Sequence, residues 1–210
     1  MAANHSVHNI IFDLGGVFLD LDFSLTVSAL QKLIGMEVYS RNHQFEFIDQ
    51  FEMGQISAGE FRAEIRILAS ASGLKEKKPL SDSDIDLAWN AMLKELPIRR
   101  IEWLKNISSK KRVFLLSNTN EIHKLAFDQI AAKALGSIQA FDEIFEGAYY
   151  SHLIGLRKPS PEVYKYIVDR HGLDPNHTLF VDDTHSNLIG AEAAGLMVKH
   201  LREDVTSLTF

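Results

Sequence analysis

The chain of 210 residues sets 22 Lys and Arg against 28 Asp and Glu, a net charge of −6, with 46% hydrophobic and 24% charged residues. That balance suits a globular core, and with a pI near 5.8 it argues against a protein that grips nucleic acid through phosphates, which calls for a basic excess. The absence of cysteine rules out disulfides, thiolate zinc sites and cysteine nucleophiles, and neither a secretory signal nor a membrane-spanning run is visible, so a cytoplasmic protein with no membrane or nucleic-acid partner is expected.

Ile10-Ile11-Phe12 is apolar without alternation, which predicts a strand buried on both faces of a parallel sheet. It ends on Asp13, and Gly15-Gly16 then lets backbone come close to a ligand; the same residues also suit a plain turn. From 24 to 97 the pattern is helical, with no strand. A first helix over 24–34 puts Leu25, Ala29, Leu30, Leu33 and Ile34 on one face, and a second over 42–53 carries Phe47, Ile48 and Phe51. The capping box Ser57-Ala58-Gly59-Glu60 opens a third, with Phe61, Ile65 and Leu68 inward. After a charged connector at 75–79, Ser81, Asp82 or Ser83 caps a fourth, carrying Ile85, Ala88, Trp89 and Met92. Four helices predict a small bundle whose phenylalanines are core.

From residue 98 helix and strand alternate, the rhythm of a parallel sheet with crossover helices. The order is helix 98–106, strand 112–116 ending on Ser117, helix 121–135, and strand 143–146 closed by Gly147. A helix entered by Ser160-Pro161 and stopped by Gly172 comes next. Strand 178–181 ends on Asp182-Asp183, and helix 186–194 and strand 197–201 complete the chain. The expected fold is α/β, a doubly wound parallel sheet formed by residues 1–18 and 96–210, with an α-helical bundle inserted at 19–95.

In such a sheet the carboxyl ends of the strands share one edge. Asp13, Ser117, Asp182 and Asp183 would meet there, with Lys158 supplied by the loop 155–161. Three carboxylates so close repel, and a divalent ion relieves them; an oxygen-only donor set suits Mg²⁺. Asp13 could then attack a phosphorus atom, while Ser117, Lys158 and backbone N–H groups near Asn118 hold the phosphoryl oxygens. Asn118 and Asn120 suit turn-making equally well. The histidines lack the pairing of a zinc site.

Ile-Ile-Phe-Asp-Leu-Gly-Gly-Val (10–17), Phe-Leu-Leu-Ser-Asn-Thr-Asn (114–120), Gly-Leu-Arg-Lys-Pro-Ser-Pro-Glu-Val-Tyr (155–164) and Leu-Phe-Val-Asp-Asp-Thr-His-Ser-Asn-Leu-Ile-Gly-Ala (179–191) resemble, in order, the four motifs of the haloacid dehalogenase-like hydrolase superfamily. The resemblance implies a Rossmann-like core under a helical cap, and a small phosphorylated substrate. It makes Asp13 the nucleophile and a metal ligand, Ser117 and Lys158 the phosphate holders, and Asp183 and the Gly15 carbonyl metal ligands. Asp182 becomes a direct or water-mediated ligand, and Asn187 orients that shell. Within the superfamily the pattern is most similar to bacterial sugar-phosphate phosphatases such as the α-D-glucose-1-phosphate phosphatases.

One position departs from the wider pattern. Gly15 stands where phosphatases of the superfamily usually carry an aspartic acid that protonates the leaving group. General acid–base catalysis contributes roughly 10²–10⁴-fold, so esters with good leaving groups should suffer least. Asp20, Asp22, His123 and His185 are candidates to replace the acid. The rivals are a metal-independent 2-haloacid dehalogenase and a non-catalytic protein binding a phosphate ligand or a partner. Arg41, His43, Gln44 and Gln50 suit a solvated face of the bundle better than contact with substrate.

Overall fold

The computed structural model describes residues 6–36, 39–40, 43–72 and 79–210. In chain order, β1 (Asn9–Phe12) leads to α1 (Phe23–Ile34), the hairpin strands β2 (Tyr39–Ser40) and β3 (His43–Gln44), then α2 (Glu46–Glu52), α3 (Ala58–Ala71) and α4 (Asp82–Trp89). There follow α5 (Ile98–Ser108), β4 (Arg112–Ser117), α6 (Glu121–Leu135), β5 (Gly147–Tyr150) and the short α7 (Ser151–Ile154). The chain continues through α8 (Pro161–His171), β6 (Thr178–Asp182), α9 (His185–Ala193) and β7 (Met197–His200).

Among the described residues the main sheet has the order β5-β4-β1-β6-β7, with every pair parallel. The chain builds one side through β4 and β5, then crosses back to build the other. Strand order therefore reverses beside β1, where a crevice forms beyond the carboxyl ends. Alternate residues of β1 serve two layers. Ile10 and Phe12 pack with Ile101 and Leu104 of α5 and Phe127 of α6, whereas Ile11 packs with Val163, Tyr164 and Ile167 of α8 and Leu188 of α9. Burial on both faces is why the strand reads as an unbroken apolar run.

Helices α1 to α4 have a core of their own. Leu30, Ile34, Ile48, Phe51, Phe61, Ile65, Ile85 and Trp89 form it, and Ile122 of α6 joins them. Phe51 and Phe61 stack with centroids 4.5 Å apart. Both expected caps are present, Ser57 with Glu60 and Ser81 with Asp84, each a reciprocal capping box. The bundle enters and leaves through a paired ribbon. Asp20 N–H donates to Glu95 O, Lys94 N–H to Asp20 O, and Asp22 N–H to Met92 O, all within 3.0 Å. No helix among the described residues is long and apolar enough to cross a membrane.

Several expectations need correction. The strand expected at 143–146 lies at Gly147–Tyr150, and Asp142–Ile144 is a 3₁₀ turn. Phe145 leaves the ladder to pack edge-on against Phe141 and Phe18, so pairing starts only at Glu146, whose N–H donates to Val113 O. The second helix begins at Glu46, not 42, and the hairpin β2–β3 precedes it. On α1, Leu25 is exposed and Thr26 is buried instead. The Thr26 hydroxyl is satisfied twice, donating to Trp89 O at 2.8 Å and accepting from Met92 N–H at 3.0 Å, so burying it costs little. Most of the connector at 75–79, Arg41, and the side chains of His43 and Gln44 lie outside the described residues. Gln50 contacts Glu46 one turn back on α2, as a solvated face would.

Candidate active site

The strand ends bring Asp13, Ser117, Asp182 and Asp183 to one edge, and the loop before α8 sends Lys158 in among them. Lys158 is 1% exposed and Asp182 fully buried. The Lys158 Nζ lies 2.7 Å from Asp13 Oδ1 and 2.8 Å from Asp182 Oδ2. Asp182 is further held by Thr184 N–H (2.7 Å) and by Asn187 Nδ2 (2.9 Å). Tyr164 O–H donates to Asn187 O at 2.7 Å and so anchors the start of α9. Asp183 lies against Gly16, where a Cβ would come within 2.7 Å of its carboxylate, so only glycine lets the two approach. The Asp183 carbonyl is bonded to His200 Nε2 at 3.0 Å.

The donor set fits a hard divalent cation. Asp13, Asp182 and Asp183 each present a carboxylate oxygen within 4.8 Å of the others, the oxygen-rich surroundings that Mg²⁺ prefers. Asp182 already serves three protein donors, which suits a supporting role beside Asp13 and Asp183. The turn after β1 is closed by Gly16 N–H to Leu19 O and Leu19 N–H to Leu14 O, so the Gly15 carbonyl takes no part in that bridge. Burial pushes Asp13 up to about 7, Asp182 and Asp183 push the same way, and the Lys158 ammonium pulls against them. Burial opposes the charge on Lys158, but Asp13 and Asp182 outweigh it and raise its pKa.

The supporting contacts come from far along the chain. Asn118 clamps the main chain of Lys158, its Oδ1 accepting from Lys158 N–H (2.9 Å) and its Nδ2 donating to Lys158 O (2.8 Å). Ser151 is buried and pins the segment between β4 and α6, accepting from Thr119 N–H and donating to Thr119 O. Asn120 caps α6 and faces the bundle. Its Oδ1 accepts from His123 N–H (3.0 Å) and Trp89 Nε1 (3.3 Å), while its Nδ2 approaches His123 Nδ1 (3.2 Å). The other His123 nitrogen bonds Trp89 O at 3.1 Å, and the two rings stack 4.8 Å apart. Both asparagines are therefore structural clamps, a role invisible without the fold.

That junction has a pH signature. Burial holds the His123 pKa down at about 4, below its ordinary 6.5, against the contrary pull of its bond to Trp89. The unfolded chain binds this proton first. The contribution is complete above pH 6.5 and is lost as pH falls toward 4. In urea unfolding, the stability advantage of wild type over His123→Gln should shrink across that window by up to about 1.4 kcal/mol per pH unit. A difference independent of pH would mean that His123 is not held neutral.

Of the four residues weighed as replacement acids, three have structural partners that occupy them and the fourth packs against a ring. Asp20 pairs with Arg100 at 2.7 Å, Asp22 caps α1 through Ser24, and His123 sits under Trp89. His185 stacks on His200. Leu21 fills the space beside Gly15, where an added Cβ would meet its Cδ1 at 2.6 Å. No local pattern announces that contact, because Leu21 arrives through the ribbon it forms with Leu93.

Comparison with known proteins bears on the fold and the family. A model of the haloacid dehalogenase-like hydrolases matches residues 7–195. The chain is 29% identical over 190 residues to a D-ribitol-5-phosphate phosphatase of Bacteroides thetaiotaomicron, covering 89% of this chain and 88% of that protein. Among solved structures, a mutant HAD family enzyme of the same organism, in complex with magnesium and inorganic phosphate, superposes with a TM-score of 0.81 at 29% identity, over 93% of this chain and 94% of that one. A predicted HAD-like hydrolase of Porphyromonas gingivalis superposes with a TM-score of 0.76 at 27% identity, over 92% and 90%. With its site at the carboxyl edge of a five-stranded parallel sheet and a helical bundle inserted after the first strand, the chain belongs to the haloacid dehalogenase-like hydrolases.

Proposed function

We propose that the chain is a Mg²⁺-dependent phosphatase acting on a small phosphorylated metabolite, a sugar phosphate, with Asp13 as nucleophile. The observation that carries this is the buried Lys158 ammonium set between Asp13 and Asp182, with Asp183 alongside. A bound phosphate and a phosphatase name among the relatives support the substrate class. Residues 1–18 and 96–210 supply the chemistry, and 19–95 act as the cap. Asp13, Asp183 and the Gly15 carbonyl would hold the ion, with Asp182 and Asn187 behind them. When bound, it neutralises the carboxylates against an incoming phosphate dianion and polarises the phosphoryl group.

Lys158 draws Asp13 toward the carboxylate form, the form that attacks, against the burial that favours the acid. An Asp13 oxygen bonds to phosphorus as the ester P–O bond breaks, and the leaving oxygen departs with the electron pair and takes its proton from solvent. Water then cleaves the aspartyl-phosphate, releasing phosphate and restoring Asp13. Ser117, the backbone N–H groups near Asn118, and Lys158 steady the phosphoryl oxygens in both steps. With Gly15 and Leu21 in place of an acid, the leaving oxygen must carry its own charge. Esters of weakly basic oxygens, such as an aryl phosphate or a sugar 1-phosphate, should therefore react faster than alkyl phosphates.

The test is phosphate release from an aryl phosphate and from glucose 1-phosphate, with Mg²⁺ and with EDTA. Metal-dependent release is expected. None from either, in folded protein that binds Mg²⁺, would favour a phosphate-binding protein without catalysis. Gly15→Asp should by itself gain activity on alkyl phosphates, because Leu21 Cδ1, the far end of a flexible side chain, can turn aside. Gly15→Asp with Leu21→Ala should raise alkyl phosphate hydrolysis by about tenfold or more and aryl phosphate hydrolysis less. Equal gains on both substrates would show that leaving-group protonation was not the missing step.

A further inference from the structure

Arg157 and Lys158 are neighbours that reach opposite structures. Lys158 enters the carboxylate cluster, whereas Arg157 reaches α2 of the bundle. Asp49 and Glu52 stand at i and i+3 on α2, on one face of the helix. One guanidinium meets both, Nη1 pairing with Asp49 and Nη2 lying 2.8 Å from Glu52 Oε2. The Glu52 side chain is 14% exposed and that of Arg157 26%, so salt and water screen this contact less than an open surface pair.

The same junction is close-fitting at the backbone. Gly54, just past α2, has φ of 66°, and a Cβ there would lie 2.1 Å from the carbonyl oxygen of His152 on α7. The end of the bundle helix thus rests directly on core backbone. One residue beyond Arg157, Asn118 holds both main-chain groups of Lys158. A Cβ on Gly190 would come within 1.9 Å of Pro159 O, so α9 also presses on this loop. Residues 157–159 are gripped from three sides, and one grip belongs to the bundle.

We propose that Arg157 is a positioning residue that couples docking of the helical bundle to the placement of Lys158. When α2 is seated, Arg157 holds the loop so that the ammonium reaches Asp13. When α2 lifts, that side of the loop is released. The phosphate grip is then complete only under a closed bundle, where water is excluded. The proposal rests on the phosphatase reading only through the role given to Lys158.

The decisive measurement is amide hydrogen exchange in the intact chain, which needs no turnover. Arg157→Met, and separately Asp49→Asn with Glu52→Gln, should each speed exchange about tenfold at Lys158 N–H and across α2, and the combination should add little. Normal protection of Lys158 N–H in the α2 variant, or effects that simply add, would overturn the coupling. Should Arg157→Met fail to fold, Arg157→Gln makes the same comparison, and normal protection of Lys158 N–H in it would overturn the coupling too. Aryl phosphate turnover supplies the second readout: kcat should fall about tenfold in both variants and return largely in Arg157→Lys. If wild type hydrolyses nothing, the phosphatase reading fails, while the exchange data still decide the coupling.

Discussion

Asp13→Asn is expected to reduce metal-dependent phosphate release by about 10⁴-fold or more, the scale on which loss of a covalent nucleophile acts. The amide cannot form the acyl phosphate, although its oxygen can still accept from Lys158. Stability should move the other way. Burial and two neighbouring carboxylates raise the folded pKa of Asp13 to about 7. In the metal-free wild type, a raised carboxyl pKa contributes stability that is complete below pH 3.8 and lost as pH rises through 7. Asn carries no such loss, so in EDTA the variant should melt above wild type at pH 8, with the gap narrowing toward pH 4. Thermal melts at several pH values in EDTA, together with phosphate release in Mg²⁺, check both halves. Retained metal-dependent turnover in Asp13→Asn would sink the nucleophile assignment; a variant less stable than wild type at pH 8 would contradict the electrostatics.

Lys158→Met is expected to damage fold and catalysis together. Methionine roughly matches the lysine stem but leaves Asp13 and Asp182 facing each other without a cation. Removing one partner from a buried pair costs about 3–5 kcal/mol, and loss of one preorganised phosphoryl contact about 10²–10³-fold in rate. Mg²⁺ should restore more stability to this variant than it adds to wild type, because the ion takes over the neutralising charge. Urea unfolding with Mg²⁺ and with EDTA separates the two conditions. A variant as stable as wild type in EDTA would mean that Lys158 does not hold these carboxylates together. Arg is no substitute, since its broad fork has no room where the lysine is 1% exposed.

What could be read directly from the chain was local. Unbroken apolar runs marked β1, β4 and β6 because those strands are buried on both faces, and the residue that ends each run falls at the sheet edge by geometry alone. Asp13, Ser117, Asp182 and Asp183 were therefore legible before any fold was known, as was Lys158 at the entrance to α8. Caps were equally plain, because Ser57 with Glu60 and Ser81 with Asp84 act within a single helical turn.

Tertiary structure decided everything that depends on partners distant in sequence. β5 begins at a glycine that looks like a break, because pairing with β4 and the withdrawal of Phe145 into the core outweigh local propensity. Thr26 is buried against its polarity because Trp89 O and Met92 N–H await it. Leu21 fills the space beside Gly15, Asn118 grips a residue 40 positions away, and Arg157 meets a helix more than 100 positions earlier. A sequence records each side chain's chemistry and its period along the chain. Which two surfaces come within bonding distance is settled only when the bundle and sheet pack, because contact energies act through space and carry no mark along the backbone.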